Sequence, residues 1–565
     1  MDHPQIAGQG REDRLSKLRD GVLGHILSFL DTKEAGRAAA LSSRWRYILA
    51  SVHTVSLEEP ENPIPDYDPN GEYYDPHRPA QPFDTVVTKA LYTRTWRPAT
   101  TAASVPLRVL RVSLESCTAG DASTLNHCVA GALRDAGPEL HVHLRLRSAP
   151  VCRRPDPNHD VPSSDEDHAA GGHEDHAAGG HEDHAAGSDE TPVVPEAIDD
   201  NDDVASSVDE RPPPYWRLPP PLYTVCTQLF SSTALRSLSL GSFRLCPPAT
   251  ISLPALRALH LTHVPDAGEH VQRLISACTV LADLTLEACA TVTTLYLLDN
   301  TCLRRLTVRC CHKLHTVTID PSKLRSLEYR GGVPGSSFLT VPGGGGGFPS
   351  ITSCKVDICA VCVDEASSPE QLATLGSFLQ RFTLGKYLHL SSARMGSCFL
   401  ELPLFPSLRY LRLHGRVLRD DPVHHVASTN TILEGAPNLE HLTLFFEPPP
   451  PETHHDGPHY FHDRKRMELL QAHNLHYNQY DSLDNALRAS VRIAPCLRSR
   501  VRRISLVHYQ GGRAQRMLAS FLLRNALLLN KLYCEFAQGP MWIQMELMRE
   551  MESWVVNHTA RKVFH

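Results

Sequence analysis

One apolar spacing recurs through the chain, in Leu235-Arg-Ser-Leu-Ser-Leu240, Leu256-Arg-Ala-Leu-His-Leu261, Leu281-Ala-Asp-Leu-Thr-Leu286, Leu303-Arg-Arg-Leu-Thr-Val308 and Leu324-Arg-Ser-Leu-Glu-Tyr329. It returns in Leu408-Arg-Tyr-Leu-Arg-Leu413 and Leu439-Glu-His-Leu-Thr-Leu444. The first five copies begin 21, 25, 22 and 21 residues apart, a period at which a strand and its return segment stack on the next copy. Within a copy the last two apolar residues are two apart and share one face of a strand, while the residues between them point the other way. A single copy cannot bury its apolar strip, so the pattern predicts a stacked solenoid. Weaker copies at Leu107–Leu114, Leu140–Leu146, Leu314–Ile319 and Val501–Leu506 extend it from about residue 84 to the last residues of the sequence. Its outward positions include Ser237, Ser239, His260, Asp283, Thr285, Arg305, Thr307, Glu328, Tyr410, Arg412, His441 and Thr443. Of these, His260, Arg305, Glu328, Tyr410, Arg412 and His441 are the candidate substrate-binding residues.

The first fifty residues follow a different period. Val22, Leu23, Ile26, Leu27 and Leu30 draw one stripe at helical spacing after a candidate capping residue, Asp20. Asp31 to Glu34 offers a capping box for a second helix through Ala35–Ala40, and Ser42 can start a third that carries Trp45, Ile48 and Leu49. So short a module, without metal or disulfide, needs a partner surface to complete its burial.

Two segments break the pattern. Residues 58–83 hold seven prolines and read as an extended connector. Residues 148–213 contain Glu-Asp-His-Ala-Ala-Gly-Gly-His with a period of eight, starting at Glu166, Glu174 and Glu182, which reads as a disordered insertion. Positions 160–210 alone hold 17 acidic residues and no Lys or Arg, so the net charge of −7 for 565 residues becomes −7 + 17 = +10 elsewhere. That spread is too thin for a phosphate-backbone footprint, and nucleic acid is not expected as a partner. No secretory leader and no apolar run of membrane-spanning length is found, so a nuclear or cytoplasmic protein without membrane association is expected, with its 16 cysteines reduced. Cys289, Cys302 and Cys310 are expected in repeat cores, and Cys359 with Cys362 as small buried apolar residues rather than half a zinc site.

Catalytic patterns are missing from the sequence. His173-Glu174-Asp175-His176 is one residue short of a zinc-binding HExxH, Gly343–Gly347 lacks the Lys-Ser/Thr of a phosphate loop, and there is no GxSxG elbow. No catalytic residue, metal or cofactor is expected.

Asp13-Arg14-Leu15-Ser16, Leu18, Asp20, Val22-Leu23, His25 to Leu30, Thr32 to Ala35, Leu41-Ser42 and Arg44-Trp45-Arg46 resemble the plant F-box. That resemblance implies docking on the Skp adaptor of a Skp-cullin-F-box ubiquitin ligase, and through it on cullin, with Leu15, Leu18, Val22, Ile26, Leu27, Leu41 and Trp45 as adaptor-binding residues. Arg19 departs from the family, which has proline there. Cys496-Leu497, Val501, Ile504, Leu506, Tyr509, Gly511-Gly512 and Met517 to Ala526 resemble the FBD segment of plant F-box/leucine-rich-repeat proteins. The expected organisation is therefore α/β: an F-box at 12–57, the connector at 58–83, leucine-rich-repeat solenoid at 84–147 and 214–495 around the insertion at 148–213, and an FBD-like cap at 496–565. The implied function is recruitment of a protein substrate for ubiquitination without a catalytic site of its own; the alternative is a repeat scaffold with a degenerate F-box and no ligase.

Overall fold

The computed structural model describes residues 17–30, 32–40, 43–48, 52–58, 106–114, 119–146, 223–342, 347–358, 369–417, 422–447, 475 and 493–565. The chain divides into two units, Met1–Pro155 with Pro220–His565, and Asp156–Pro219. The second unit, nearly all of the connector, Leu15, Leu41, Asp31, Cys359 and Cys362 lie outside the described residues.

Short helices come first: α1 (Asp20–Leu27), α2 (Thr32–Ala40) and α3 (Ser43–Ile48). Strands follow as β1 (Thr54–Glu58), β2 (Leu107–Leu114), β3 (Ala136–Leu146), β4 (Tyr223–Thr224), β5 (Leu235–Gly241), β6 (Phe243–Arg244), β7 (Ala258–Thr262), β8 (Asp283–Glu287), β9 (Thr294–Tyr296) and β10 (Arg305–Arg309). The remainder are β11 (Thr316–Thr318), β12 (Ser326–Gly331), β13 (Leu339–Thr340), β14 (Ser353–Ile358), β15 (Tyr387–Arg394), β16 (Tyr410–Arg416), β17 (His441–Phe446), β18 (Arg503–Tyr509), β19 (Lys531–Phe536) and β20 (Arg561–Phe564).

Fifteen of these form one sheet in the order β1-β2-β3-β5-β7-β8-β10-β12-β14-β15-β16-β17-β18-β19-β20. Every pairing is parallel, for example Leu238↔Leu259, Leu259↔Leu284, Leu284↔Leu306 and Leu306↔Leu327. Parallel neighbours require a return segment on the buried side. The returns carry helices such as Gly268–Ser276, Pro369–Gln380, Pro422–Glu434 and Arg513–Asn525, or the short strands β9, β11 and β13 of a separate parallel sheet. The repeated leucines point inward together: Leu238, Leu240, Leu261, Leu286 and Leu306 are all fully buried. Burial of that kind contributes about 1.5–3 kcal/mol per side chain before entropy is counted.

The residue after the strand takes a left-handed conformation in four successive coils: Ser242 (φ 63°), His263 (49°), Ala288 (51°) and Cys310 (53°). Such strain costs a non-glycine residue about 1–2 kcal/mol. It is offset because each N–H then donates to the next coil, Ser242 to Thr262 O (2.8 Å), His263 to Glu287 O (2.9 Å), Ala288 to Arg309 O (2.8 Å) and Cys310 to Arg330 O (2.6 Å).

Several expectations are corrected. The sheet starts well before residue 84, since β1 pairs in register with β2. Residues 496–565 do not simply close it: β18, β19 and β20 extend it by parallel pairing, with a shift of register between Leu506 and Tyr509. There β18 is followed by Gly511-Gly512 and then by the helix Arg513–Asn525, with Gly511 (φ +76°) making the turn and its missing Cβ facing Leu547. Cys289 and Cys310 are buried whereas Cys302 is exposed. Eleven described cysteines are free, but Cys398 is disulfide-bonded, with its partner outside the described residues. Asp20 does not cap α1. Arg19 stands at the cap position, and the Asp20 carboxylate instead accepts from Arg44 Nε (3.0 Å) and Nη2 (2.7 Å).

Candidate partner-binding surfaces

The three N-terminal helices enclose a small core of their own, Leu23, Leu27, Ala35, Ile48 and Val52, with Leu18, Ala38 and Trp45 packed on it. This core is separate from the one that runs along the sheet. The module is tied to the sheet where Ser56 N–H of β1 donates to Thr32 Oγ1 (2.9 Å). The Arg44–Asp20 ion pair and an Arg44 Nη2–H bond to Leu18 O (2.5 Å) hold α3 against the start of α1. Arg19 holds φ at −71°, within the range a proline ring imposes.

With the core sealed on one side, α1 presents apolar side chains on the other. Val22 is 46% exposed, Ile26 36%, Phe29 77% and Leu30 38%. Val22 and Ile26 are four apart on one face of α1, and Leu30 and Phe29 follow in the turn after the helix, Phe29 edge-on to His25 at 4.9 Å. Of the residues expected at the adaptor contact, Val22 and Ile26 face outward and Leu18 and Trp45 are half-buried on the module core. Leu27 is fully buried, which corrects its assignment: it packs its own helices and has no surface to offer. Leu15 and Leu41 are outside the described residues. Periodicity does not select Phe29, because it neighbours Leu30 in sequence; α1 ends at Leu27, and the turn after it frees Phe29 from the helical phase.

On the sheet, the strand residues pointing away from the core line up across neighbouring strands. One row runs Asp283, Arg305, Ser326, Ser353, Tyr387, Tyr410, His441, Arg503, Lys531 and Arg561. The next includes His260, Thr285, Thr307, Glu328, Lys355, His389 and Arg412. All six candidate substrate-binding residues therefore share one side of the sheet: Arg305, Tyr410 and His441 in the first row, His260, Glu328 and Arg412 in the second. Thr307, expected to be outward, is only 6% exposed beneath its neighbours.

Two adjoining stretches of this face differ chemically. From β7 to β14 the charges are paired. Glu287 faces His260 Nε2 (3.5 Å) and Arg309 Nη1 (3.5 Å), while Glu328 accepts from Arg309 Nη2 (3.1 Å) and Lys355 Nζ (2.6 Å). Arg305–Asp283 (3.3 Å) and Arg330–Asp357 (3.5 Å) flank this ladder. Burial pushes the carboxyls of Glu287 and Glu328 up, but their cationic neighbours outweigh it and hold both below the ordinary glutamate value. From β15 to β17 the face is aromatic. Tyr387 stacks on Tyr410 (4.4 Å, 11°) and Tyr410 on His441 (4.4 Å, 2°). The Arg412 guanidinium lies 5.3 Å from the Phe445 ring centroid. Burial, reinforced by Arg412 and Lys355, pushes His389 down to about 3, so it is neutral near pH 7. The repeat pattern does not point to Lys355, Tyr387, His389 or Arg309. Their strands β14 and β15 carry Cys354 and Val356, and Leu388 and Leu390, without a clear upstream leucine triplet; Arg309 ends β10, one position past its apolar pair.

Among the described residues no group of three or more His, Cys, Asp or Glu could hold a metal ion, and no helix is long and apolar enough to cross a membrane.

A helical module with an uncovered apolar strip, joined to a parallel sheet of stacked leucine coils, resembles an F-box followed by leucine-rich repeats. Comparison with known families finds both. Residues 15–55 match the F-box domain, and residues 223–340 match the family described as At1g61320/AtMIF1, LRR domain. Among curated proteins of Arabidopsis thaliana, the chain is 45% identical over 58 residues to F-box/LRR-repeat protein At4g14103, covering 9% of this chain and 15% of that protein. It is 49% identical over 47 residues to F-box protein At3g59000 (8% and 10%), and 46% identical over 54 residues to F-box/LRR-repeat protein At2g42720 (9% and 12%). The matches thus span 15% or less of these relatives' own length.

Proposed function

We propose that the protein is a substrate-recognition subunit of a Skp-cullin-F-box ubiquitin ligase. The α1 module docks on a Skp-type adaptor, which brings cullin, and the outward face of the sheet holds a protein substrate for ubiquitination in the nucleus or cytoplasm. The chain supplies position rather than chemistry, since holding reactants together is itself a large part of a rate enhancement. The observation that carries this reading is the strip of Val22, Ile26, Phe29 and Leu30, left uncovered by a module whose own core is closed. Apolar side chains clustered in this way mark an interaction site. An FBD-like role for residues 496–565 belongs to the same reading, supported by the order of β18, the Gly511-Gly512 turn and the helix Arg513–Asn525.

Co-purification of the full chain with a Skp-type adaptor tests it. Adaptor is expected to be retained by the natural sequence and lost on Ile26→Asp. Absence of adaptor from the natural protein, or retention indifferent to the substitution, rejects the ligase and leaves a repeat scaffold.

A further inference from the structure

The outward face of the sheet neutralises its own carboxylates from β7 to β14, and its character changes beyond that stretch. Through β14 each of the carboxylates Glu287, Glu328, Asp283 and Asp357 has a basic neighbour. Beyond it, Arg412, Arg503, Lys531 and Arg561 project from β16, β18, β19 and β20 with no carboxylate partner among the described residues. Two acids on or beside the same strands are already engaged: Glu440, just before β17, by Arg409, and Glu535 of β19 by Tyr533 Oη (3.2 Å) and His508 (3.7 Å).

The aromatic ledge beside these cations has the same preference. Tyr387, Tyr410 and His441 lie face to face on one another, so between them the ring faces are largely used and the ring edges are presented. Ring edges carry the positive part of the aromatic quadrupole. A nucleic acid would need free ring faces for its bases to stack on, and this ledge offers few. The Phe445 ring under Arg412 limits the freedom of the guanidinium, and a pre-ordered donor loses less entropy on binding.

We propose that the face from β15 to β20 docks an acidic segment of the substrate protein, with Arg412 and Arg503 as carboxylate anchors and the Tyr387–Tyr410–His441 edges as the ledge beside them. This rests on the reading of the chain as a substrate receptor and adds the chemical class of what it receives. The anchors also set a spacing. Arg412 and Arg503 lie two strands apart and one pleat out of line, about 10–12 Å at the usual strand separation and rise. An extended peptide advances about 3.3 Å per residue, so the two carboxylates belong three or four residues apart, with further acids toward Lys531 and Arg561.

The test uses the full chain and fluorescein-labelled peptides in a Gly/Ser/Tyr background. One series carries Glu pairs at that spacing, another carries Gln in their place, and an oligothymidylate serves as competitor. The Glu peptide is expected to bind, to weaken as salt rises, and to exceed its Gln counterpart by about tenfold, the sum of a few partly exposed charge contacts. Arg412→Glu with Arg503→Glu should abolish that preference with an unchanged melting temperature, and Arg412→Lys with Arg503→Lys should keep most of it. Equal affinity for Glu and Gln peptides, no binding of the Glu peptide to the natural protein, or preferential binding of the oligothymidylate would overturn the proposal. Adaptor retention is measured on the same preparations. Adaptor lost with peptide bound sinks the ligase reading and leaves the acidic-peptide surface standing; adaptor retained with no peptide preference does the reverse.

Discussion

Leu27→Ala and Ile26→Asp change adjacent residues of α1 and should have unlike effects. Leu27 is fully buried in a core that comprises five buried side chains among the described residues, apart from the main one. Truncation removes three carbons, about 2.4 kcal/mol at about 0.8 each, and the unfilled cavity brings the total into the ~2–5 kcal/mol range of buried leucine deletions. A core so small has little margin, so the module should unfold while the repeats remain intact. Ile26 is 36% exposed, and its replacement by Asp should change folding by only about 0.5 kcal/mol. Hydrogen exchange followed by mass spectrometry, with adaptor co-purification on the same samples, separates them. Leu27→Ala is expected to lose amide protection in α1 and α3 together with the adaptor, and Ile26→Asp to lose the adaptor alone. Persistent protection in Leu27→Ala, or melting of the module in Ile26→Asp, would show the assignment of inner and outer faces to be wrong.

Glu328 should make the repeat ladder acid-sensitive. Its folded carboxyl lies below the ordinary value of 4.5, so its contribution is complete above that value and is lost as pH falls through the depressed one. The melting-temperature difference between the natural protein and Glu328→Gln should therefore shrink in acid, and a difference constant with pH would contradict the ladder. Glu550 pairs with Arg516, whose side chain is only 3% exposed, through a 2.8 Å bond to Nε and a second to Nη2. Glu550→Ala should cost about 3 kcal/mol by leaving a buried cation short of its counter-ion. The readout is roughly hundredfold faster amide exchange in the helix Arg513–Asn525, and unchanged exchange there would show that the pair contributes nothing.

The leucine triplets make most of the fold legible in the sequence, because a buried parallel strand of this kind needs apolar residues two apart and solvation of the residues between them. Where a strand meets that need with Cys354 and Val356, or with Val55 and Leu57 beside a proline-rich connector, the pattern is too faint to find, and β14 and β1 escape it. The candidate surface is legible residue by residue but not as a surface. Arg305, Glu328 and Tyr410 can be assigned an outward direction from alternation alone. That Glu328 lies between Arg309 and Lys355, or that Tyr387 and His441 sandwich Tyr410, depends on register between segments 19 to 31 residues apart. On α1, a helical stripe wide enough to include both Ile26 and Leu27 does not say which half turns inward; the positions of α2 and α3 decide that.

The parallel pairing of β3 with β5, Arg145 opposite Gly241, has a consequence for the long interval between them. The chain leaves one coil and rejoins the stack at its hydrogen-bonded neighbour, so the two anchoring strands keep their places whatever the length of the excursion. Closing a longer loop costs only about 0.6 kcal/mol for each doubling. Gain or loss of one octapeptide unit there should therefore be nearly silent for folding, and deleting Glu174–His181 should leave the melting temperature where it was. Copy-number variation is mechanically cheap at this joint, which lets a repetitive tract lengthen or shorten without endangering the scaffold that carries it.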